Sequence, residues 1–396
     1  YNEYKTTITM EVFKIKIKEI ESELLQVNVK DSLKEIFKSI EADDLEYIKD
    51  KALEFHKTQV LKDAVIQSAQ ILEMDGNTDE IKSLIDSAMQ AGVERNLGHD
   101  YLVDIEERYS DTARITSPTP WDIINELMQG GLGAGELGVV VAPAGIGKSW
   151  VLSAMGAYAI SQGLNVVHYT LELNEAYVGL RYDSIFTGVE SQNLKYHKEE
   201  VMEKLYDLKG SLTIKYYPTK ACTVNTLSAH LKKVTTFGTK VDMVLVDYAD
   251  IMKDVGKAQE MRHALGNIYE DLRGMAGEMQ IPIWTASQAN RSALDEDVIE
   301  ASKVAESYTK VMTADFVISL SRKIEDKIGN TGRFHIIKNR FGPDGLTYPA
   351  KINTNIGKIE IFEANSVQGK GVQHKINNRD NQTKAILSAR YEDLMS

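Results

Sequence analysis

The sequence predicts an α/β fold: a mostly parallel central sheet flanked by helices, preceded by a small all-α region and a linker helix. Three observations carry this. All seven prolines lie at or after Pro118, and only Gly76, Gly92 and Gly98 of the 27 glycines precede it, so the first 117 residues read as helical. Beyond Pro118 short apolar runs alternate with amphipathic stretches, which is how parallel strands with helical crossovers look in sequence. A glycine-containing turn then joins one of those runs to a helical stretch. The expected organisation is a helical region over 1–75, a linker helix and connection over 76–117, an α/β domain over 118–364 and a polar tail over 365–396.

In the first region Val60, Leu61, Ala64, Val65, Ser68, Ala69 and Leu72 recur at helical spacing, which predicts an amphipathic helix ending near Asp75-Gly76-Asn77. Asn77-Thr78-Asp79 then caps a second helix striped by Ile81, Leu84, Ile85, Ala88 and Met89. Thr116-Ser117-Pro118-Thr119-Pro120 marks the domain boundary. Strands are expected at Leu137–Val141, Val166–Leu171, Leu212–Tyr216, Met243–Val246, Ile281–Ala286, Phe316–Leu320 and Phe334–Ile337. The last two are linked too tightly for a helix and read as a hairpin, as does Thr347–Phe362 turning at Asn355-Ile356-Gly357. From Asn365 the chain is polar and aperiodic, so it reads as flexible, with Ala385–Leu394 as a candidate docking helix.

Composition narrows the function classes. The 396 residues suffice for two or three domains, and 43% apolar with 26% charged residues is ordinary for a globular protein. No apolar run approaches the roughly 18 residues of a membrane span, so no membrane partner is expected. A single cysteine, Cys222, excludes an internal disulfide and a cysteine-based zinc site and points to a reducing, cytoplasmic setting. No signal peptide opens the chain, and a start at Tyr1 without methionine suggests that the helical region is incomplete. A net charge of -12 counts against a nucleic-acid partner until it is divided. Tyr1–Arg114 holds 25 acidic and 15 basic residues, leaving 33 and 31 in the remainder, so the acidity belongs to one end.

Chemistry concentrates in the α/β region. Ala142, Pro143, Ala144, Gly145, Ile146, Gly147, Lys148 and Ser149, followed by Trp150, lie between a predicted strand and a predicted helix. Small residues there let backbone N–H groups curl round phosphates at a helix N-terminus. The spacing assigns Lys148 to the β- and γ-phosphates of ATP and the Ser149 hydroxyl to Mg²⁺. Met243-Val244-Leu245-Val246-Asp247 is an apolar strand ending in a carboxylate suited to the Mg²⁺ shell, and Asp242 and Asp250 flank it less aptly. No glutamate follows Asp247, but Glu172 ends another strand 24 residues beyond Lys148 and can polarise an attacking water. The competing reading of Glu172 is an ordinary charged strand terminus.

Ile283–Gln288 ends in a neutral donor placed to sense a γ-phosphate. Lys338 and Arg340 sit two residues apart and share one strand face, as a transition-state finger requires. Solvated cations at a hairpin tip are the alternative. Seven basic and three acidic residues between Arg322 and Lys351 favour a local positive patch at that finger.

Together the phosphate loop, Thr-Leu-Glu-Leu followed by Arg181, Val-Asp-Tyr, Ala-Ser-Gln and Lys-Asn-Arg resemble the DnaB-like replicative helicases, motors with a RecA-like core. Lys215-Tyr216-Tyr217-Pro218-Thr219 and the Ala305–Asp315 stretch resemble the tailed-phage branch specifically. The resemblance covers about residues 55–362 and tolerates Ala142 where many phosphate loops begin with glycine. It implies a helical collar at the N-terminus and a homohexameric ring, translocating 5′ to 3′ on single-stranded DNA in the host cytoplasm. ATP would sit between subunits, with Lys338 and Arg340 serving the neighbour's nucleotide. It places DNA contacts in Met252–His263, at Lys253, Lys257 and Arg262, and in Asn290–Val304, at Asn290, Arg291 and Lys303. Each of these taken singly also reads as an ordinary surface residue. Neither loop is aromatic, so backbone electrostatics is the expected grip. Primase and a helicase loader are expected as separate proteins. Two other readings stay open: a RecA-like recombinase or clock-type ATPase, and a nucleotide-gated loader or scaffold.

Overall fold

A computed structural model of the chain describes residues 29, 45–73, 81, 84, 85, 88, 101–102, 105–110, 114–256, 261–304 and 309–378. The chain divides into two compact units, Tyr1–Tyr109 and Ser110–Ser396. The first holds α1 (Leu45–Glu73), 29 residues without proline or glycine. Of the expected apolar stripe only Ala64 and Ser68 are buried, one turn apart, with the Ser68 hydroxyl donating to the Ala64 carbonyl at 2.7 Å. Leu61, Val65 and Leu72 are exposed. Ile81, Leu84, Ile85 and Ala88 are helical as their spacing predicts, while the turn at Asp75–Asn77, Met89 and the Ala385–Leu394 segment lie outside the described residues.

The second unit is built on one sheet. Its opening ribbon pairs β1 (Thr116–Ser117) with β2 (Leu132–Gly133) around the helix α2 (Asp122–Leu127). Then follow β3 (Leu137–Ala142), α3 (Lys148–Ser161), β4 (Val166–Thr170), α4 (Glu175–Thr187), α5 (Lys198–Tyr206), β5 (Leu212–Tyr216) and α6 (Val224–Thr236). The chain continues through β6 (Met243–Asp247), α7 (Met261–Met279), β7 (Ile283–Gln288), α8 (Thr309–Thr313), β8 (Phe316–Ser321) and α9 (Ile324–Gly329). It closes with β9 (Thr331–Asn339), β10 (Thr347–Asn353), β11 (Lys358–Ile361) and a last helix, α10 (367–378).

The nine-stranded sheet runs β11-β10-β9-β8-β3-β7-β6-β4-β5. From β8 to β5 every pairing is parallel, and β9, β10 and β11 add antiparallel strands at one side. Alternate residues feed two cores: Leu137, Val139 and Val141 of β3 join one, and Val140 and Ala142 join the other. Burial on both faces is why these strands read as unbroken apolar runs. Close packing fixes Gly138, where an added Cβ would lie 2.4 Å from the Trp284 ring.

Two expectations need correction. The β8–β9 connection does contain a helix, α9, whose entry is held by the Asp326 carboxylate accepting the Lys323 N–H at 3.1 Å. One turn and a half suffices because β8 and β9 are antiparallel neighbours with nothing to cross. The segment after Asn365 is also not simply flexible: α10 buries Val372 and Ile376, an i,i+4 pair too sparse to register among polar residues.

Among the described residues, no helix is long and apolar enough to cross a membrane.

Candidate active site

Parallel strands deliver their carboxyl ends to one rim, and a crevice there is where open α/β sheets bind ligands. Ala142 and Gln288 are partners in the β3–β7 register, and Thr170 and Asp247 in the β4–β6 register. The phosphate loop, Gln288, Asp247 and the bend carrying Glu172 therefore share that rim. Gly147 precedes the first residue of α3 with φ of 123°, a conformation that side chains other than glycine's rarely adopt. Gly145, with φ of 69°, turns the loop the same way. Pro143, Ile146 and Ala142 are buried beneath it.

Lys148 Nζ donates to the carbonyls of Ala142 at 3.1 Å and Pro143 at 3.2 Å, which centres the ammonium in the loop. Burial pulls its pKa below the ordinary lysine value, opposed by the carboxylates of Asp247, Asp250 and Glu172. Asp247 is 2% exposed. Burial raises its pKa, and a hydrogen bond from Ser149 and the charges of Arg181 and Lys148 act the other way. Its Oδ1 has no hydrogen-bond partner, and neither does the buried Nη1 of Arg181. The peptide between Asp247 and Tyr248 is cis.

Lys148, Ser149 and Arg181 line a cleft of about 410 Å³ together with Trp150, Glu172, Tyr248 and Gln288, and the buried Asp247 lies behind Ser149, hydrogen-bonded to it. Mg²⁺ fits the donor set: a hydroxyl, one carboxylate with an orphaned oxygen, and room for phosphate and water. Such a shell suits a cation that keeps most of its waters. Among the described residues no group of three His, Cys, Asp or Glu side chains gathers to hold a metal by itself.

Sequence reasoning missed three further lining residues, Arg322, Lys327 and Thr354. Arg322 immediately follows β8, a parallel strand, so the strand-end rule that found Gln288 points to it as well. Its guanidinium donates to the carbonyls of Thr331 and Ile352 at 2.9 and 3.2 Å. Lys327 lies on α9, a helix the sequence reading excluded.

Lys338 and Arg340 lie elsewhere. Phe316 at the start of β8 pairs with Gly138 near the start of β3 and with Asn339 at the end of β9. Arg340 therefore lies at the amino-end rim, about 17 Å along the strands from the start of the phosphate loop, and Lys338, level with Val139, lies about 10 Å from it. Lys338 Nζ donates to the carbonyls of Val311 and Met312, and Arg340 pairs with Asp315. The expected positive patch between Arg322 and Lys351 is accordingly not one surface. Arg322 and Lys327 face the cleft, Arg333 is buried against Asp326 and Asp297, and Lys323 pairs with Asp297.

The DNA-contact candidates follow β6 and β7 at the carboxyl-end rim. Lys253, Arg262 and Arg291 are exposed, and Lys257 lies outside the described residues. The second loop is closed by the Asn290 N–H donating to the Lys303 carbonyl at 2.9 Å and by an Ala289–Val304 bridge. Lys303 is paired with Glu296 at 2.7 Å, so its charge is partly compensated within the loop.

The fold and the loop define a phosphate-loop nucleotide-binding α/β domain. Residues 118–356 match the family described as the DnaB-like helicase C terminal domain, and the chain belongs to that family. It is 27% identical over 276 residues to a DnaB-like replicative helicase of Enterobacteria phage T4, covering 66% of this chain and 58% of that protein. It is 23% identical over 260 residues to the replicative DNA helicase DnaB of Helicobacter pylori, covering 63% and 51%. The aligned stretch thus spans little more than half of either relative. The fold is shared with a separately solved ATPase domain, at TM-score 0.55 and 17% identity over 63% of this chain and 92% of that one. It is also shared with a DnaB-like replicative helicase solved in a study of its interactions with primase, at TM-score 0.61 and 16% identity over 89% and 87%.

Proposed function

We propose that the chain is the subunit of an ATP-driven replicative DNA helicase, a homohexameric ring that moves on single-stranded DNA, 5′ to 3′ by family likeness, in the host cytoplasm. One observation carries the assembly: Arg340 stands at the rim opposite the phosphate loop, with Lys338 two residues inward on the same side of the sheet. Arg340 there cannot reach its own chain's γ-phosphate, but a head-to-tail neighbour brings it to one, and such contacts close into a ring when the rotation between neighbours closes.

In this reading the loop N–H groups and Lys148 hold the phosphates, and Ser149 and Asp247 hold Mg²⁺. Held there, Mg²⁺ would supply neutralisation of the phosphate charge. Glu172 orients the attacking water from its exposed bend, Gln288 donates to the γ-phosphate, and the neighbour's Arg340 and Lys338 stabilise the charge of the transition state. Loops 252–263 and 290–304 start from the strands that carry Asp247 and Gln288, so nucleotide-dependent shifts at this rim reach Lys253, Arg262, Asn290, Arg291 and Lys303. Lys257 falls within the first loop. Primase and a loader act as separate partners.

Strand displacement on a forked duplex tests the proposal. The unaltered chain with ATP and Mg²⁺ is expected to release the labelled strand, and Lys148→Ala is not. Equal behaviour of the two defeats it. Open filaments on single-stranded DNA, seen by negative-stain microscopy in place of rings, favour the recombinase reading.

A further inference from the structure

A group of buried polar side chains behind Gln288 has no part in the function above. Asp250 lies in the turn Ala249–Ile251, just after β6. Its Oδ2 accepts from the Gln288 N–H at 2.9 Å and from the Ser287 hydroxyl at 3.1 Å. Its Oδ1 accepts from the Tyr269 hydroxyl at 2.7 Å and pairs with Lys310 Nζ at 2.8 Å. Lys310 is 1% exposed, and its Nζ also donates to Ser287 Oγ at 3.2 Å. A buried ion pair is weak evidence for stability, because apolar residues of similar volume often do as well. Its position suggests a different use.

Lys310 belongs to α8, and the same five-residue helix holds the finger cations. Lys338 Nζ donates to the carbonyls of Val311 and Met312, and Arg340 Nη2 to that of Met312 at 3.4 Å. In register, Ser287 stands level with Val141, and Lys338 with Val317 and hence Val139. The two ends of the connection are therefore about 7 Å apart along the strands, a gap that one lysine side chain spans.

We propose that Lys310 and Asp250 are positioning residues that link this chain's own nucleotide, sensed by Gln288, to the placement of Lys338 and Arg340 against the next subunit's nucleotide. The inference rests on the trans-finger reading given above. A shift of Gln288 toward a γ-phosphate carries its backbone N–H and so the Asp250 carboxylate. The Asp250–Lys310 pair passes that shift to α8, whose carbonyls hold the two cations. Every link is a hydrogen bond or ion pair between packed groups, the kind of contiguous path along which coupling travels.

The test uses the full chain with ATP, Mg²⁺ and single-stranded DNA, in Lys310→Met, Asp250→Asn and the double variant. Each single variant is expected to bind a fluorescent ATP analogue with unchanged affinity, to lose about tenfold in kcat at constant KM, and to drop to a Hill coefficient of one. Removing one partner strands a buried charge, so the double variant, which removes both, is decisive if the singles fail to fold. It is expected to melt no lower than the unaltered chain yet keep the lost kcat and cooperativity. Recovery of both in the double variant makes the pair structural and overturns the inference. So does cooperativity retained in foldable singles, or a Hill coefficient of one in the unaltered chain. Arg340→Ala separates the two levels: turnover at the unaltered rate refutes the finger reading itself. An inactive Arg340→Ala beside a cooperative double variant refutes only the coupling.

Discussion

Arg340 meets Asp315 through an Nη1–Oδ1 contact of 2.6 Å, at the rim of the sheet opposite the phosphate loop. Asp315 is 2% exposed and fixed by the Leu137 N–H at 2.9 Å and by Arg273 at 3.1 Å, so it stays in place when Arg340 leaves. The Arg340 side chain is 43% exposed and has the freedom to do so. A finger acting in trans predicts complementation. Arg340→Ala and Lys148→Ala should each lose turnover, by roughly 10³–10⁵ for a finger arginine. Mixed together they should regain part of it, at interfaces where an intact phosphate loop faces an intact arginine. ATPase measured across mixing ratios gives the answer, and a mixture no more active than its parts rules out a trans role.

Glu172 lies outside β4 on an exposed bend that lines the cleft, within reach of water and fixed only by its backbone. A polarising role predicts that Glu172→Gln keeps nucleotide binding and loses roughly 10²–10⁴ in kcat. Binding of a fluorescent analogue and steady-state turnover separate these quantities. Intact turnover would return Glu172 to being a charged strand terminus.

Asp247 is buried with one oxygen unpaired, and burial raises its pKa above the ordinary carboxylate value of 3.8. For an acid with a raised folded pKa, the favourable contribution is present below the unfolded value and lost as pH rises through the folded one. At pH 7 the ionised group therefore works against folding. Asp247→Asn is expected to abolish hydrolysis while raising the melting temperature, by roughly 2–4 °C for each kcal/mol recovered. The difference between variant and parent should shrink toward zero as pH falls below about 4. A variant that melts lower at neutral pH contradicts the assignment of strain to this carboxylate.

How legible the molecule was in sequence follows from where information is stored. β3, β4, β6 and β7 are buried on both faces, so each is an apolar run, and the polar residue that ends it marks the rim. Ala142–Ser149, Asp247 and Gln288 were readable for that reason. α9 was not, because six residues carry too little periodicity, and Lys327 was lost with it. In sequence Lys310 looks like a surface charge, and Asp250 like a less apt neighbour of Asp247. Only tertiary pairing across 60 residues reveals that Lys310 is buried against the carboxylate of Asp250. α10 was hidden in the same way, since Val372 and Ile376 gain meaning only from what covers them.

His168, at the centre of β4, offers a test of the sheet beneath Glu172. Its Nδ1 meets the Tyr182 hydroxyl at 2.8 Å, and its Nε2 is buried without a partner. Burial, with a smaller contribution from the Arg181 charge, pushes its pKa from 6.5 down to about 3. A base held neutral in this way contributes stability above the unfolded value that is lost as pH falls toward the folded one. Between pH 6.5 and pH 3 the unfolded chain therefore binds a proton that the folded chain refuses. The cost is about 1.4 kcal/mol per pH unit, or about 2 kcal/mol by pH 5. His168→Asn removes the titration and keeps a polar partner for Tyr182. Its melting temperature should fall less steeply than the parent's between pH 6.5 and 5, by roughly 4–8 °C over that interval. Groups common to both proteins cancel in the comparison, so parallel melting curves would mean that protons reach His168 in the folded sheet.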